Sequence, residues 1–191
     1  MSRYSEWQKG ELMLKFDIIE SDEDKYKSNG LRLMMTYIDP SILSETKDIS
    51  YILVEGMKEN VVGGAILIKK DLSNIQEDIR ILVTDTPFQR NIWECPYIFS
   101  RKSEEKGAFN DDFSHQFYRG LYEKLVEFGK RKGAGFLIMK LTPEIYRSTK
   151  EEGKWPYVVE LKPENSQDAL FHGILPLVGR QYEAYQMAWK I

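Results

Sequence analysis

The chain has 191 residues, a length that suits one domain of ordinary size. Lys and Arg number 27 and Asp and Glu number 30, so the formal net charge of −3 excludes a polycation built to neutralise nucleic-acid phosphates. Hydrophobic residues make up 42% of the chain, which is enough to fill a core. We therefore expect residues 1–191 to form a single folded domain.

The scarcity of cysteine and histidine limits the chemistry further. Cys95 has no partner for an internal disulfide, and with only His115 and His172 a metal centre is not predicted. The N-terminal segment breaks every apolar run with a charge, which is unlike a signal peptide, and no run approaches the ~20 apolar residues that span a bilayer. We therefore expect a cytoplasmic protein without a nucleic-acid or membrane partner.

Short apolar runs predict an antiparallel meander after the first 50 residues, which themselves carry no clear pattern. Residues 51–55 and 61–70 flank a glycine-containing polar turn, as the two strands of a hairpin do. Residues 79–83 and 92–99 are bounded by polar residues or proline and predict two further strands.

The strongest helix signal follows Asn110-Asp111-Asp112, which are suitable N-cap residues. One apolar stripe then recurs at intervals of four and three through Phe113, Phe117, Leu121, Leu125 and Phe128. Lys130, Arg131 and Lys132 suit the last turn, and Gly133 or Gly135 can end the helix. The apolar run 136–141 predicts a buried strand that a right-handed crossover makes parallel to its predecessor.

The last third of the chain predicts a second helix and a hairpin. Thr142-Pro143-Glu144 combines a cap oxygen, a proline at the first helical position and a carboxylate in the first turn, and Gly153 closes the helix. Runs 157–162 and 169–179 predict the hairpin, and 181–190 a short terminal helix or strand. The sequence thus predicts an α/β (α+β) fold with helices on the faces of a mixed sheet.

This order of elements resembles the GNAT acyltransferase fold, a three-layer α/β/α arrangement with a mixed, splayed central sheet. Trp-Glu-Cys at 93–95 is similar to the Trp-Glu-(Leu/Cys)-Ser-Arg-Phe signature of the acyl-homoserine-lactone (autoinducer) synthases, a quorum-sensing branch of that fold. Val-Gly-Gly-Ala at 62–65 resembles the family's Val-Gly-Gly-Ala-Arg segment. Ile-Tyr-Arg at 145–147, Gly153 and the hairpin around 158–177 resemble the family's final third.

The resemblance implies transfer of an acyl group from an acyl-CoA or acyl-carrier-protein thioester to an amine. The family's amine substrate is S-adenosylmethionine, and arginines help to build its site. This chain has Ile66 and Pro96-Tyr97-Ile98 where the family has arginine and Ser-Arg-Phe. Neither isoleucine nor tyrosine binds a carboxylate in the bidentate manner of arginine. The resemblance therefore implies the acyl-donor scaffold more than the S-adenosylmethionine site.

Glu94 is the candidate catalytic base, because partial burial in an apolar strand would favour proton uptake. The alternative is that Glu94 faces solvent or pairs with a lysine. Pro96 interrupts the ladder of a central strand, where a gap would admit a pantetheine arm; the alternative is an edge strand or a bulge. The predicted substrate-binding residues are Trp93, Pro96, Tyr97 and Phe99.

The segment before the long helix occupies the position of the pyrophosphate loop in GNAT enzymes. Its candidate donor-binding residues are Arg101, Lys102, Lys106, Gly107 and Ala108. The three cations could instead receive the acidic surface of an acyl carrier protein, or belong to a solvated loop. Two hypotheses follow: an N-acyltransferase related to the autoinducer synthases, or a catalytically silent GNAT-like domain that binds a ligand or regulates.

Overall fold

A computed structural model of the chain describes residues 13–20, 48–56, 61–75, 77, 80, 91–100, 110–161 and 170–177. These residues form one sheet, two α-helices, a short 3-10 turn and helical backbone at Glu77 and Arg80. The strands are β1 (Lys15–Ile19), β2 (Ile49–Glu55), β3 (Val61–Lys70), β4 (Ile92–Ser100), β5 (Phe136–Leu141), β6 (Val159–Leu161) and β7 (Phe171–Pro176). The helices are α1 (Asn110–Lys132) and α2 (Pro143–Glu151), and the 3-10 turn is Leu72–Asn74.

The seven strands are ordered β1-β2-β3-β4-β5-β7-β6. Strands β1 to β4 form an antiparallel meander, and β4 and β5 are parallel. Strand β7 pairs antiparallel with both β5 and β6. The predicted hairpins, the crossover helix and the mixed sheet are therefore confirmed.

Strand β1 is an element that the sequence analysis missed. Phe16 alternates with charged neighbours and packs against the core under α1, where it touches Gly120. A Cβ on Gly120 would lie 2.4 Å from the Phe16 ring, so only glycine allows this approach. The signal was present in the alternation of Leu14, Phe16 and Ile18 with polar residues.

Both described helices pack on one face of the sheet, the helix face. Phe117, Leu121, Leu125 and Phe128 of α1 are fully buried there, so the predicted apolar stripe is confirmed. The start of α1 differs from the prediction, because the helix already begins at Asn110. Asp111 and Asp112 are therefore helical residues rather than N-caps.

The helix ends follow local rules. Gly133 has a φ of +66°, and the amide of Ala134 donates to the carbonyl of Gly129 at 2.9 Å, which is a glycine-terminated C-cap. The Thr142 hydroxyl accepts from the amide of Ile145 at 3.3 Å, with Pro143 at the first helical position. Both predicted ends are confirmed.

The opposite face of the sheet, the open face, carries two further apolar clusters. One contains Tyr51, Ile66 and Ile68, and the other contains Ile92 and Ile138. The predicted helical layer on this face lies outside the described residues. The strand predicted at 79–83 is wrong at Arg80, which is helical and pairs with Glu77 one turn earlier. A short apolar run does not by itself distinguish a strand from a helix.

Candidate active site

The two parallel strands β4 and β5 pair over three residues and then separate. Trp93, Glu94 and Cys95 of β4 lie opposite Leu137, Ile138 and Met139 of β5. Beyond these pairs, the rest of β4 pairs with β3 and the rest of β5 with β7. The sheet therefore forks after Cys95 and Met139, which confirms the predicted splay.

A β-bulge in β4 coincides with the fork. Ile68 lies opposite Glu94, and Ile66 lies opposite Tyr97. An advance of three residues along β4 therefore matches an advance of two residues along β3. The extra residue falls at Cys95-Pro96, and Pro96 has no amide hydrogen to offer to a ladder. The bulge considered as an alternative for Pro96 is thus present, and it lies at the point where the strands part.

Glu94 lies on the open face in a cleft beside the fork. The cleft has a volume of about 150 Å³ and is lined by Lys70, Asn74, Ile75, Glu94, Ile138, Lys140 and His172. The Glu94 side chain is 16% exposed, and its Oε1 lies 3.7 Å from Nζ of Lys70. Pairing with a lysine, considered as an alternative for Glu94, therefore occurs within a cleft that a small molecule can enter.

Three residues that the sequence analysis did not assign to the site bring nitrogen groups to this cleft. Lys70 ends β3, Lys140 is near the end of β5, and His172 is the cross-strand partner of Lys140 on β7. Sequence alone gave no signal for this cluster, because its members come from strands separated by up to about half of the chain. Strand order brings them together.

Trp93 and Cys95 point to the helix face, away from Glu94, because side chains alternate along a strand. Trp93 is 4% exposed and packs edge-to-face on Phe128 at 4.9 Å. Burial raises the pKa of the Cys95 thiol to about 12, which disfavours the thiolate that nucleophilic catalysis needs. Trp93 therefore belongs to the core rather than to the cleft.

Tyr97 and Phe99 share the open face with Glu94. Their rings stack at 6.5 Å, and both pack against an apolar cluster that contains the fully buried Ile66. Both positions at which the chain departs from the family's arginines, 66 and 97, thus lie in the same apolar surroundings. Arg101, Lys102, Lys106, Gly107 and Ala108 lie outside the described residues, and the assignments of substrate-binding and donor-binding residues stay predictions.

On the helix face, several hydroxyl groups form hydrogen bonds with one another or with the backbone. Tyr118 of α1 hydrogen-bonds with Ser148 of α2 and Ser100 at the end of β4, while burial raises the pKa of its phenol. Thr149 donates to the carbonyl of Tyr146 at 2.8 Å, so the Tyr157 hydroxyl, 2.7 Å away, donates to Thr149. Burial also raises the pKa of Tyr157. These phenols are therefore neutral at ordinary pH.

Comparison with solved structures identifies the fold. The chain is similar to the AHL synthase LasI (acyl-homoserine-lactone synthase), with a TM-score of 0.56 and 13% identity over 92% of this chain and 95% of that one. The chain has the fold of an acyl-homoserine-lactone synthase. This confirms the GNAT-like architecture predicted from the order of elements.

Two further structures support the same fold. FeeM, an N-acyl amino acid synthase from uncultured soil microbes, matches with a TM-score of 0.55 and 11% identity over 94% of this chain and 98% of that one. TofI matches with a TM-score of 0.53 and 16% identity over 90% and 95%. No family model and no curated protein matches the sequence.

Among the described residues, no group of three or more His, Cys, Asp or Glu side chains is placed to hold a metal ion. None of the described helices is both long and apolar enough to cross a membrane.

Proposed function

We propose that the chain is an N-acyltransferase that moves an acyl group from a thioester to an amine. The observation that carries the proposal is the fork after Cys95 and Met139, with the Glu94 carboxylate in an adjoining cleft. A fork in a sheet offers backbone groups that have no strand partner, and these can pair with the amides of a pantetheine arm. A carboxylate beside it can take the proton of an attacking amine.

The proposed reaction uses both the fork and the adjoining cleft. The thioester carbonyl lies at the fork and the amine enters the cleft on the open face. Nitrogen attacks the carbonyl carbon, the C–N bond forms and the C–S bond breaks. Glu94 accepts the proton that nitrogen loses, directly or through a water, and the departing sulfur leaves as a thiol after it takes up a proton. The products are an amide and a free thiol.

The donor is a thioester of CoA or of an acyl carrier protein, and the names of the solved relatives support acyl transfer in general terms. LasI is described as an AHL synthase and FeeM as an N-acyl amino acid synthase. In this proposal Pro96, Tyr97 and Phe99 border the acyl group, and the donor's phosphate or its carrier protein contacts Arg101, Lys102, Lys106, Gly107 and Ala108. We also propose that the protein acts in the cytoplasm as a single domain.

Acyl-CoA turnover tests the proposal directly. Purified protein is incubated with acetyl-CoA or a medium-chain acyl-CoA and a panel of amines, and free thiol and amide are quantified by thiol titration and mass spectrometry. Equal amounts of thiol and amide, formed only when an amine is present, are the expected result. The same assay is repeated with an acyl carrier protein as donor. Absence of amide with both donor types would overturn the proposal.

A further inference from the structure

The cleft beside Glu94 carries more positive than negative charge. Among its lining residues Lys70 and Lys140 are cationic, His172 can become so, and Glu94 is the one carboxylate. Lys70 and Glu94 offset each other at 3.7 Å. Lys140 has no ion-pair partner anywhere in the part of the chain that the structure describes.

The strand register places Lys140 and His172 side by side. They are direct cross-strand partners on β5 and β7, so their side chains leave the same face of the sheet. Ile138, two residues before Lys140, lies directly opposite Glu94 and puts all three side chains on that face. Lys140, His172 and Glu94 thus line one cleft on the open face.

On the basis of the proposed function, we infer that the amine acceptor is small and carries an anionic group. Lys140 and His172 bind this anionic group, and the amine of the acceptor contacts Glu94. An anion between the two side chains would offset the positive charge of Lys140. A charge-assisted hydrogen bond from each would orient the amine towards the fork. Carboxylate, sulfonate and phosphonate share this chemistry.

The size of the cleft selects against large acceptors. Its volume of about 150 Å³ is below the range of roughly 300 Å³ and more that is typical for drug-sized ligands. The floor is apolar at Ile138 and Ile75, with Asn74 at the rim. A short aliphatic amine with one anionic end fits these dimensions.

A matched series of acceptors tests the inference: ethylamine, β-alanine, taurine and 2-aminoethylphosphonate share a two-carbon amine and differ in the anion. Binding is measured first without donor, by thermal shift and calorimetry, and turnover with acyl-CoA is measured second. We expect binding and a KM at least tenfold lower for one or more of the anionic amines than for ethylamine. The best anion identifies the group that the site binds.

Variants then assign the effect to the two residues. Lys140→Met and His172→Asn should weaken binding of the anionic amine about tenfold or more, and they should lower the preference for the anionic amine over ethylamine, measured as the ratio of the two kcat/KM values. Lys69→Met is the matched control, because Lys69 lies on β3 next to Lys70, points to the other face and pairs with Asp48. Its binding should equal that of the wild type.

The two proposals fail separately. In one outcome the wild type binds the anionic amine, Lys140→Met does not bind it, and no donor yields an amide. That outcome would support the inference and overturn acyl transfer. Equal KM values for ethylamine and all three anionic amines, together with no binding of the anions, would overturn the inference while acyl transfer stands.

Discussion

Ile66 on β3 and Tyr97 on β4 are direct cross-strand partners on the open face of the sheet. Ile66 is completely buried, and Tyr97 packs on the same apolar cluster. Arginines stand at these two positions in the motifs that the sequence resembles, whereas this pair carries no positive charge. Lys70 and Lys140 instead bring positive charge to the cleft beside Glu94.

S-adenosylmethionine should therefore not bind. We expect a medium-chain acyl-CoA to raise the melting temperature of the purified protein, since a ligand that binds only the native state stabilises it by mass action. S-adenosylmethionine at the same concentration should produce no shift, because the apolar pair cannot hold its carboxylate and the cleft of about 150 Å³ beside Glu94 is too small for its adenosyl group. A shift with S-adenosylmethionine that saturates would contradict this reading of positions 66 and 97.

Glu94→Gln should reduce turnover far more than stability. Loss of a positioned proton acceptor lowers kcat by roughly 10²- to 10⁴-fold, whereas the amide is close in size to the carboxylate. Steady-state thiol release and urea unfolding of both proteins measure the two effects. The control is Glu123→Gln, because Glu123 is exposed on α1 and pairs with Arg119 on its own helix. Wild-type kcat in Glu94→Gln would remove this residue from the mechanism.

Cys95→Ala should leave acyl transfer within about threefold of the wild type, because the thiol is buried on the face opposite Glu94. Burial raises the pKa of Cys95 from the usual 9.0 to about 12, so the neutral thiol stabilises the folded state below pH 9. That contribution is lost as the pH rises from 9 towards 12.

The measurement is the unfolding free energy of wild type and Cys95→Ala between pH 7 and pH 10.5. The wild type should lose stability relative to the variant above pH 9. In the folded wild type, alkylation by iodoacetamide at pH 8 should be slow, and denaturant should accelerate it. Rapid alkylation of the folded protein, or loss of activity in Cys95→Ala, would contradict burial of an inert thiol.

Gly63→Ala should destabilise the fold by about 1–3 kcal/mol, because overpacking forces neighbours to move. A Cβ at Gly63 would lie 2.4 Å from Cε2 of Phe117 and 2.6 Å from the carbonyl oxygen of Phe99. Urea unfolding measures the loss. Gly133→Asn is the comparison, since its φ of +66° suits asparagine and the nearest atom to an added Cβ is 3.6 Å away. A larger loss in Gly133→Asn than in Gly63→Ala would reject the steric argument.

Local sequence rules predicted the elements whose causes are local. The α1 stripe, the Gly133 end, the Thr142 cap and the β6–β7 hairpin were all recognisable from residues within a few positions of one another. Strand β1 was missed although its alternation was present, because a single five-residue strand is ambiguous without a neighbour. At Arg80 the same ambiguity favoured a strand where the chain is helical.

The sequence by itself determined the class of fold, the central strand that carries Glu94 and the proline that interrupts it. Only the tertiary structure decided which face of the sheet each residue occupies, because a bulge at Cys95-Pro96 shifts the alternation and no local rule predicts its position. It also decided that Trp93 is core and that Lys70, Lys140 and His172 join Glu94. Those side chains meet through strand order, and strand order depends on the packing of the whole sheet.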